Sequence, residues 1–252
     1  MTGIDRILDG VYRIATFDEK VGISFNQYII LDDKPALMHT GSAIIFDSVL
    51  EALKGVVKPE ELAFAFISHF EADECGSLTR FLEVARGMSA VCPAVTARQL
   101  QGFGLCRSPL VKQAGETLDL GKRRLRFLSY PSEMHPEMHL WEGLIAYEET
   151  DKILFTSDLF LRRGPTPEPI VEGQRKEFAN IPAESIPSPE ARLACQEAID
   201  RLDIRVMALG HGPAVRITGW SFFHHGGFGL NLAGTRATLE IMSFPPQRES
   251  RS

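Results

Sequence analysis

The run His69-Phe70-Glu71-Ala72-Asp73-Glu74-Cys75-Gly76 gathers an imidazole and three carboxylates in one short stretch. Buried without compensation, the three carboxylates would repel one another. A pair of divalent cations removes that cost, so the run reads as one side of a two-metal site. It follows Ala63 to Ile67, a continuous apolar stretch with the pattern of a strand buried on both faces. The ends of such strands are where ligands gather in α/β folds. Alone, the run would more often be a solvated acidic turn.

Other residues repeat the arrangement. His139 stands in Met138-His139-Leu140-Trp141-Glu142-Gly143, just before a strand signal. Asp158 closes Lys152-Ile153-Leu154-Phe155-Thr156-Ser157-Asp158, and His211 closes Val206-Met207-Ala208-Leu209-Gly210-His211. A residue able to bind metal thus stands at the end of several apolar strands, which a solvated turn does not explain. His39 reads as a structural residue or one that supports a ligand. His135 could point into the pocket but is more simply a loop residue. Tyr147 reads as core, and Trp141 as core or as a wall of the metal pocket. Phe222-Phe223-His224-His225 is more simply a surface turn than a metal site. The sequence has neither a phosphate-cradling glycine loop nor a Gly-x-Ser-x-Gly elbow.

The elements that must position these residues alternate. Strands are expected at Gly10 to Thr16, Gln27 to Leu31 and Pro35 to His39, the last two joined as a hairpin by Asp32-Asp33-Lys34. Apolar residues at Ile45, Val49, Leu53 and Val56 predict a helix over 42–56. A helix over 78–85 and a strand over 90–92 follow. Strand signals then run at Glu116 to Leu120, Leu125 to Tyr130, Leu144 to Glu148 and Ile153 to Thr156. Ser188-Pro189-Glu190 starts a helix with a capping hydroxyl, a first-turn proline and an acid. That helix should end near Leu202, before a strand over 205–209. Leu161 to Pro187 reads as a long loop, either a lid or subunit contact or a plain surface excursion. The pattern predicts one domain over 1–252, with its core at about 11–213 and a C-terminal extension at about 214–252. The fold class is an α/β sandwich of two mixed sheets with helices outside.

With 44% hydrophobic and 24% charged residues, the chain has an ordinary globular composition. A net charge of -6 without a basic run gives no sign of nucleic-acid or membrane-surface partners. No apolar run is long enough to span a bilayer, and the N-terminus lacks the apolar core of a signal peptide, so the cytoplasm is the expected address. Cys75, Cys92, Cys106 and Cys195 form no Cys-x-x-Cys pair, which excludes a zinc ribbon or rubredoxin-like iron site. They are expected as buried free thiols.

These motifs resemble the metallo-β-lactamase superfamily, and most closely the β-lactamase-like part of flavodiiron proteins and stand-alone oxygen-binding di-iron proteins. The resemblance runs from about Val11 to Pro213. Hydrolases of the superfamily carry His-x-His-x-Asp-His; the di-iron branch has glutamate for the second histidine, and Glu71 occupies that place. The resemblance implies the αββα fold. It implies that His69, Glu71 and His139 hold one metal, that Asp73 and His211 hold the other, and that Asp158 bridges them. It implies two iron ions, with zinc or manganese as alternatives, and O2 or NO as the ligand. A separate protein would donate electrons, since no flavin-binding part is expected in this chain, and a homodimer is expected. The rival function is a dinuclear hydrolase of phosphodiesters, thioesters or lactones, working through a metal-bridging hydroxide.

The sequence departs from that pattern at Glu74, where the family has a histidine. Glu74 is expected to bind the second metal or to face it through water. Glu71, Asp73, Glu74 and Asp158 then balance two divalent cations, where histidine would leave one positive charge. The carboxylates also favour iron or manganese and stabilise the ferric state. His39 is a second departure, standing where the family often has an acid.

Overall fold

The computed structural model describes residues 2–131 and 142–218. His135, His139, Trp141 and the His224-His225 pair lie outside the described residues.

The first sheet contains β1 (Thr2–Leu8), β2 (Val11–Asp18), β3 (Ile23–Ile30), β4 (Ala36–Met38), β5 (Phe64–Phe66), β6 (Ser89–Cys92) and β7 (Leu110–Val111), in that order. Its pairs are antiparallel from β1 to β4 and parallel from β4 to β7. The second sheet contains β8 (Thr117–Asp119), β9 (Arg124–Pro131), β10 (Glu142–Glu148), β11 (Ile153–Ser157), β12 (Ile170–Gln174), β13 (Val206–Leu209) and β14 (Ala214–Thr218). Its order is β12-β14-β13-β11-β10-β9-β8, with β11 parallel to β13.

Strand periodicity sorts the core into layers. Ala36, Met38, Phe66 and Val91 of the first sheet meet Phe127, Ala146, Phe155 and Ala208 of the second between the sheets. Their neighbours Leu37, Ala65 and Ala90 face outward, under α1 (Phe46–Lys54) and α3 (Leu78–Val84). On the other side Ile145, Leu154 and Met207 pack with α5 (Pro189–Asp200). The result is the expected αββα sandwich, two mixed sheets with helices outside. α1 buries Phe46, Val49 and Leu53, one face of a 3.6-residue period. Ser188 caps α5 by accepting from the Ala191 amide at 3.3 Å.

Several elements differ from the sequence reading. Residues 161–187 are not a structureless loop: β12 pairs with β14, and a 3₁₀ turn at Arg175–Phe178 follows. Phe178, Ile181 and Ile186 then enter the core beneath α5. The pairing that makes β12 a strand is supplied by residues more than forty positions away, so no local signal marked it. β1 and β14 lie outside the expected core span, and each is hydrogen-bonded into a sheet. An unexpected helix, α4 (Ala94–Gly102), follows β6. The predicted 42–56 helix begins as a 3₁₀ turn at Ala43–Ile45 and ends at Lys54. All four cysteines are free, but Cys106 is exposed rather than buried. Among the described residues, no helix is long and apolar enough to cross a membrane.

Candidate metal centre

Two strand ends of the second sheet and one of the first converge. His69 follows β5; Glu71 precedes the short helix α2 (Ala72–Cys75), whose first turn carries Asp73 and Glu74. Asp158 follows β11 and His211 follows β13, and the parallel pairing of those strands brings their ends to one edge. Gly210 is required there, because a Cβ would sit 2.7 Å from the Ser157 carbonyl oxygen. Gly76 has right-handed φ; it is small because the backbone of Ser42 and Ala43 presses within about 3.1 Å of where its Cβ would be.

The structure brings together His69, Glu71, Asp73, Glu74, Asp158 and His211. His69 Nε2 lies 3.2 Å from Asp158 Oδ2 and 3.8 Å from both Glu71 Oε1 and Glu74 Oε2. His211 Nε2 lies 3.2 Å from Asp158 Oδ1 and 3.6 Å from Asp73 Oδ2. Asp158 therefore presents one oxygen to each imidazole. Donor atoms of His69, Glu71 and Asp158 form one group and those of Asp73, Glu74 and His211 another, each within 4.8 Å.

Neighbours the sequence reading did not single out fix the imidazoles. Ser68 Oγ sits 2.9 Å from His69 Nδ1, and Ser157 Oγ sits 3.4 Å from the same atom. The two hydroxyls are 2.8 Å apart. His211 Nδ1 donates to the Ser24 carbonyl at 3.1 Å, and Ser24 Oγ accepts from the Gly212 amide. Holding Nδ1 in this way aims each Nε2 at the cluster, as outer hydrogen bonds do in metal sites. Asn26 ties β3 to the His211 loop by donating to the carbonyls of Leu209 at 2.8 Å and Gly212 at 2.7 Å. Ser68 and Ser157 each precede a candidate ligand in sequence, which was a usable signal. Ser24 and Asn26 carried none, being more than 180 residues from their partners.

The electrostatics are those of a cation site filled by protons. Burial opposes charge on His69, but Asp158, Glu71 and Glu74 outweigh it and raise the imidazole to about 10. Burial likewise opposes charge on His211, and Asp158 and Asp73 raise it. Asp158 is held below the usual carboxylate range despite burial, by the two imidazolium groups. Burial, Asp158 and Asp73 push Glu74 well above its ordinary value, against the pull of His69. His39 is depressed to about 3, first by burial and then by His69. It stacks on Phe66 and has Nδ1 3.9 Å from Glu74 Oε1, so it backs a candidate ligand.

A metal pair fits this donor set. Glu74 is 2% exposed and its Oε2 has no hydrogen-bond partner, a costly arrangement that a cation relieves. The described donors are oxygen and imidazole nitrogen. Cys75 is turned away, its thiol donating to the Glu71 carbonyl. Tyr147 lies in the core beside α5 and donates to the Asp203 carbonyl.

An αββα sandwich with carboxylates and imidazoles at its strand ends defines a metallo-β-lactamase-like protein. The chain belongs to the family described as ODP family beta lactamase, whose profile matches residues 23–212. It is 28% identical over 206 residues to the flavo-diiron protein FprA2 of Clostridium acetobutylicum, covering 76% of this chain and 49% of that protein. It is 24% identical over 168 residues to the rubredoxin-oxygen oxidoreductase of Megalodesulfovibrio gigas, covering 62% of this chain and 40% of that one. A solved flavoprotein from Thermotoga maritima superposes with a TM-score of 0.72 at 20% identity, over 86% of this chain and 58% of that one, a likeness of fold. The chain spans about a third to a half, 34% to 49%, of the length of the first curated relatives it matches.

Proposed function

We propose that the chain binds two iron ions and there binds, senses or reduces O2 or NO, with electrons from a separate donor protein. His69, Glu71 and His139 would hold one iron and Asp73, Glu74 and His211 the other, with Asp158 offering an oxygen to each. Two ferrous ions bound there would each make one electron available for a diatomic ligand. The protein's own part is to hold the ligands. Ser68 and Ser157 orient His69, the Ser24 carbonyl orients His211, and the His39 ring backs Glu74. The chain acts in the cytoplasm as a homodimer.

One observation carries this reading: among the described residues, four carboxylates and two imidazoles meet in one partly buried cluster. Carboxylate-rich sites suit iron or manganese and lower the net charge available to polarise a hydrolytic substrate. The names of the relatives, a flavo-diiron protein and an oxygen oxidoreductase, support the redox reading over hydrolysis. The test is metal analysis of chain purified without added metal, followed by O2 consumption with a reductant. About two irons per chain and O2-dependent oxidation are expected. Zinc in their place, with esterase or phosphodiesterase turnover, would overturn the proposal.

A further inference from the structure

Behind the candidate ligands, between the two sheets, lies a small cavity with free space of about one water-sized molecule. Met38 and Phe66 wall it from the first sheet, and Phe155 and Ala208 from the second. Its upper rim is the centre itself: Ser157 precedes Asp158, Gly210 precedes His211, and His39 faces Glu74.

The cavity is poorly suited to water. A buried water needs two to four polar partners. Of the polar side chains on the wall, the Tyr28 hydroxyl donates to the Leu209 carbonyl at 2.8 Å, and Ser157 Oγ is engaged with Ser68 Oγ. His39 turns Nδ1 toward Glu74. What faces the space is mostly carbon. Two wall residues, His39 with φ 63° and Ser157 with φ 51°, hold left-handed backbone that side chains rarely adopt. Such strain collects where surrounding structure shapes a functional site.

We propose that this cavity is a station for one small apolar diatomic, O2 or NO, directly behind the metal ligands. The proposal rests on the gas-handling reading above and adds a second binding place for the same gas, on the protein rather than on metal. An apolar wall holds a molecule that makes no hydrogen-bond demand, and the cavity's size excludes larger substrates.

The test uses the methionines of the full chain, loaded with zinc and labelled with ¹³C at the methyl. Met38 lines the cavity, whereas Met88 lies under the helices of the first sheet and Met207 beneath α5. All three are buried alike, at 2%, 0% and 0% exposure, so the last two are internal controls. Dissolved O2 is paramagnetic and relaxes methyls that it approaches. Under O2 instead of argon, Met38 is expected to relax several-fold faster than Met88 and Met207. Ala208→Leu fills the cavity and should bring Met38 down to the controls. Should that variant not fold, Ala208→Val makes the same comparison. Equal relaxation of all three methyls, or a Met38 effect that persists in a folded Ala208 variant, would overturn the proposal. Zinc does not react with O2, so this readout is separate from the iron and turnover measurements that decide the reading it rests on.

Discussion

Glu74 is one of two residues at which the sequence departs from the pattern it resembles, and its environment gives a testable prediction. In the metal-free centre protons compete with metal at three described groups. His69 is raised to about 10, His211 is raised, and Glu74 is raised well above its ordinary value by burial, Asp158 and Asp73. Each must deprotonate to bind metal. Loading two divalent ions should therefore release protons from these groups. Glu74→Gln keeps the shape of the side chain but removes one of them. The variant should release about one proton fewer, and its metal affinity should gain about tenfold less per pH unit. It also loses a donor to the second metal, so that site should weaken by at least the roughly 10- to 100-fold typical of lost supporting contacts, about 1.4 to 2.7 kcal/mol. The uncompensated positive charge should raise the reduction potential. Calorimetry of metal loading in buffers of different ionisation heat counts the protons, and metal analysis counts the ions. The same proton release with both metals retained would mean that Glu74 binds no metal, and the charge argument against hydrolysis would lose half its support.

Ser68→Ala removes the hydroxyl 2.9 Å from His69 Nδ1. Metal affinity should drop about 10- to 100-fold with little change in fold, as read by competition with a chelator and by circular dichroism. Asn26→Ala breaks two buried donations to the His211 loop and the acceptance from Arg13 Nε at 3.0 Å. Urea unfolding should show a loss of about 2 to 4 kcal/mol, and a loss under 1 kcal/mol would deny Asn26 its role as a tie between the sheets. The metal-free chain should lose stability as pH rises. The folded pKa of His69 is about 10, above the ordinary 6.5, so its contribution is complete below pH 6.5 and lost on the way to 10. The slope from this one proton is at most about 1.4 kcal/mol per pH unit. Thermal melts across that range should show the decline, and His69→Gln should flatten it.

The sequence by itself marked the candidate ligands. His69, Glu71, Asp73 and Glu74 stand together because one turn after a strand carries them, and Asp158 and His211 because each ends an apolar run. Local chemistry and strand periodicity are properties of short segments, so they are legible without a fold. The paired layers were legible for the same reason: alternate residues of β5, β11 and β13 are apolar on both faces. What the tertiary structure decided was everything that depends on distant chain meeting. β12 is a strand only because β14 lies beside it, which turned an expected loop into sheet. Ser24 and Asn26 matter only because β3 crosses the end of β13 from the opposite sheet. Glu74 could be read as ligand or as solvated acid until the packing of His39 and α2 buried its carboxylate without a hydrogen-bond partner for Oε2. Burial sets the cost of a polar group without a hydrogen bond, and burial is a property of the assembled layers rather than of any segment.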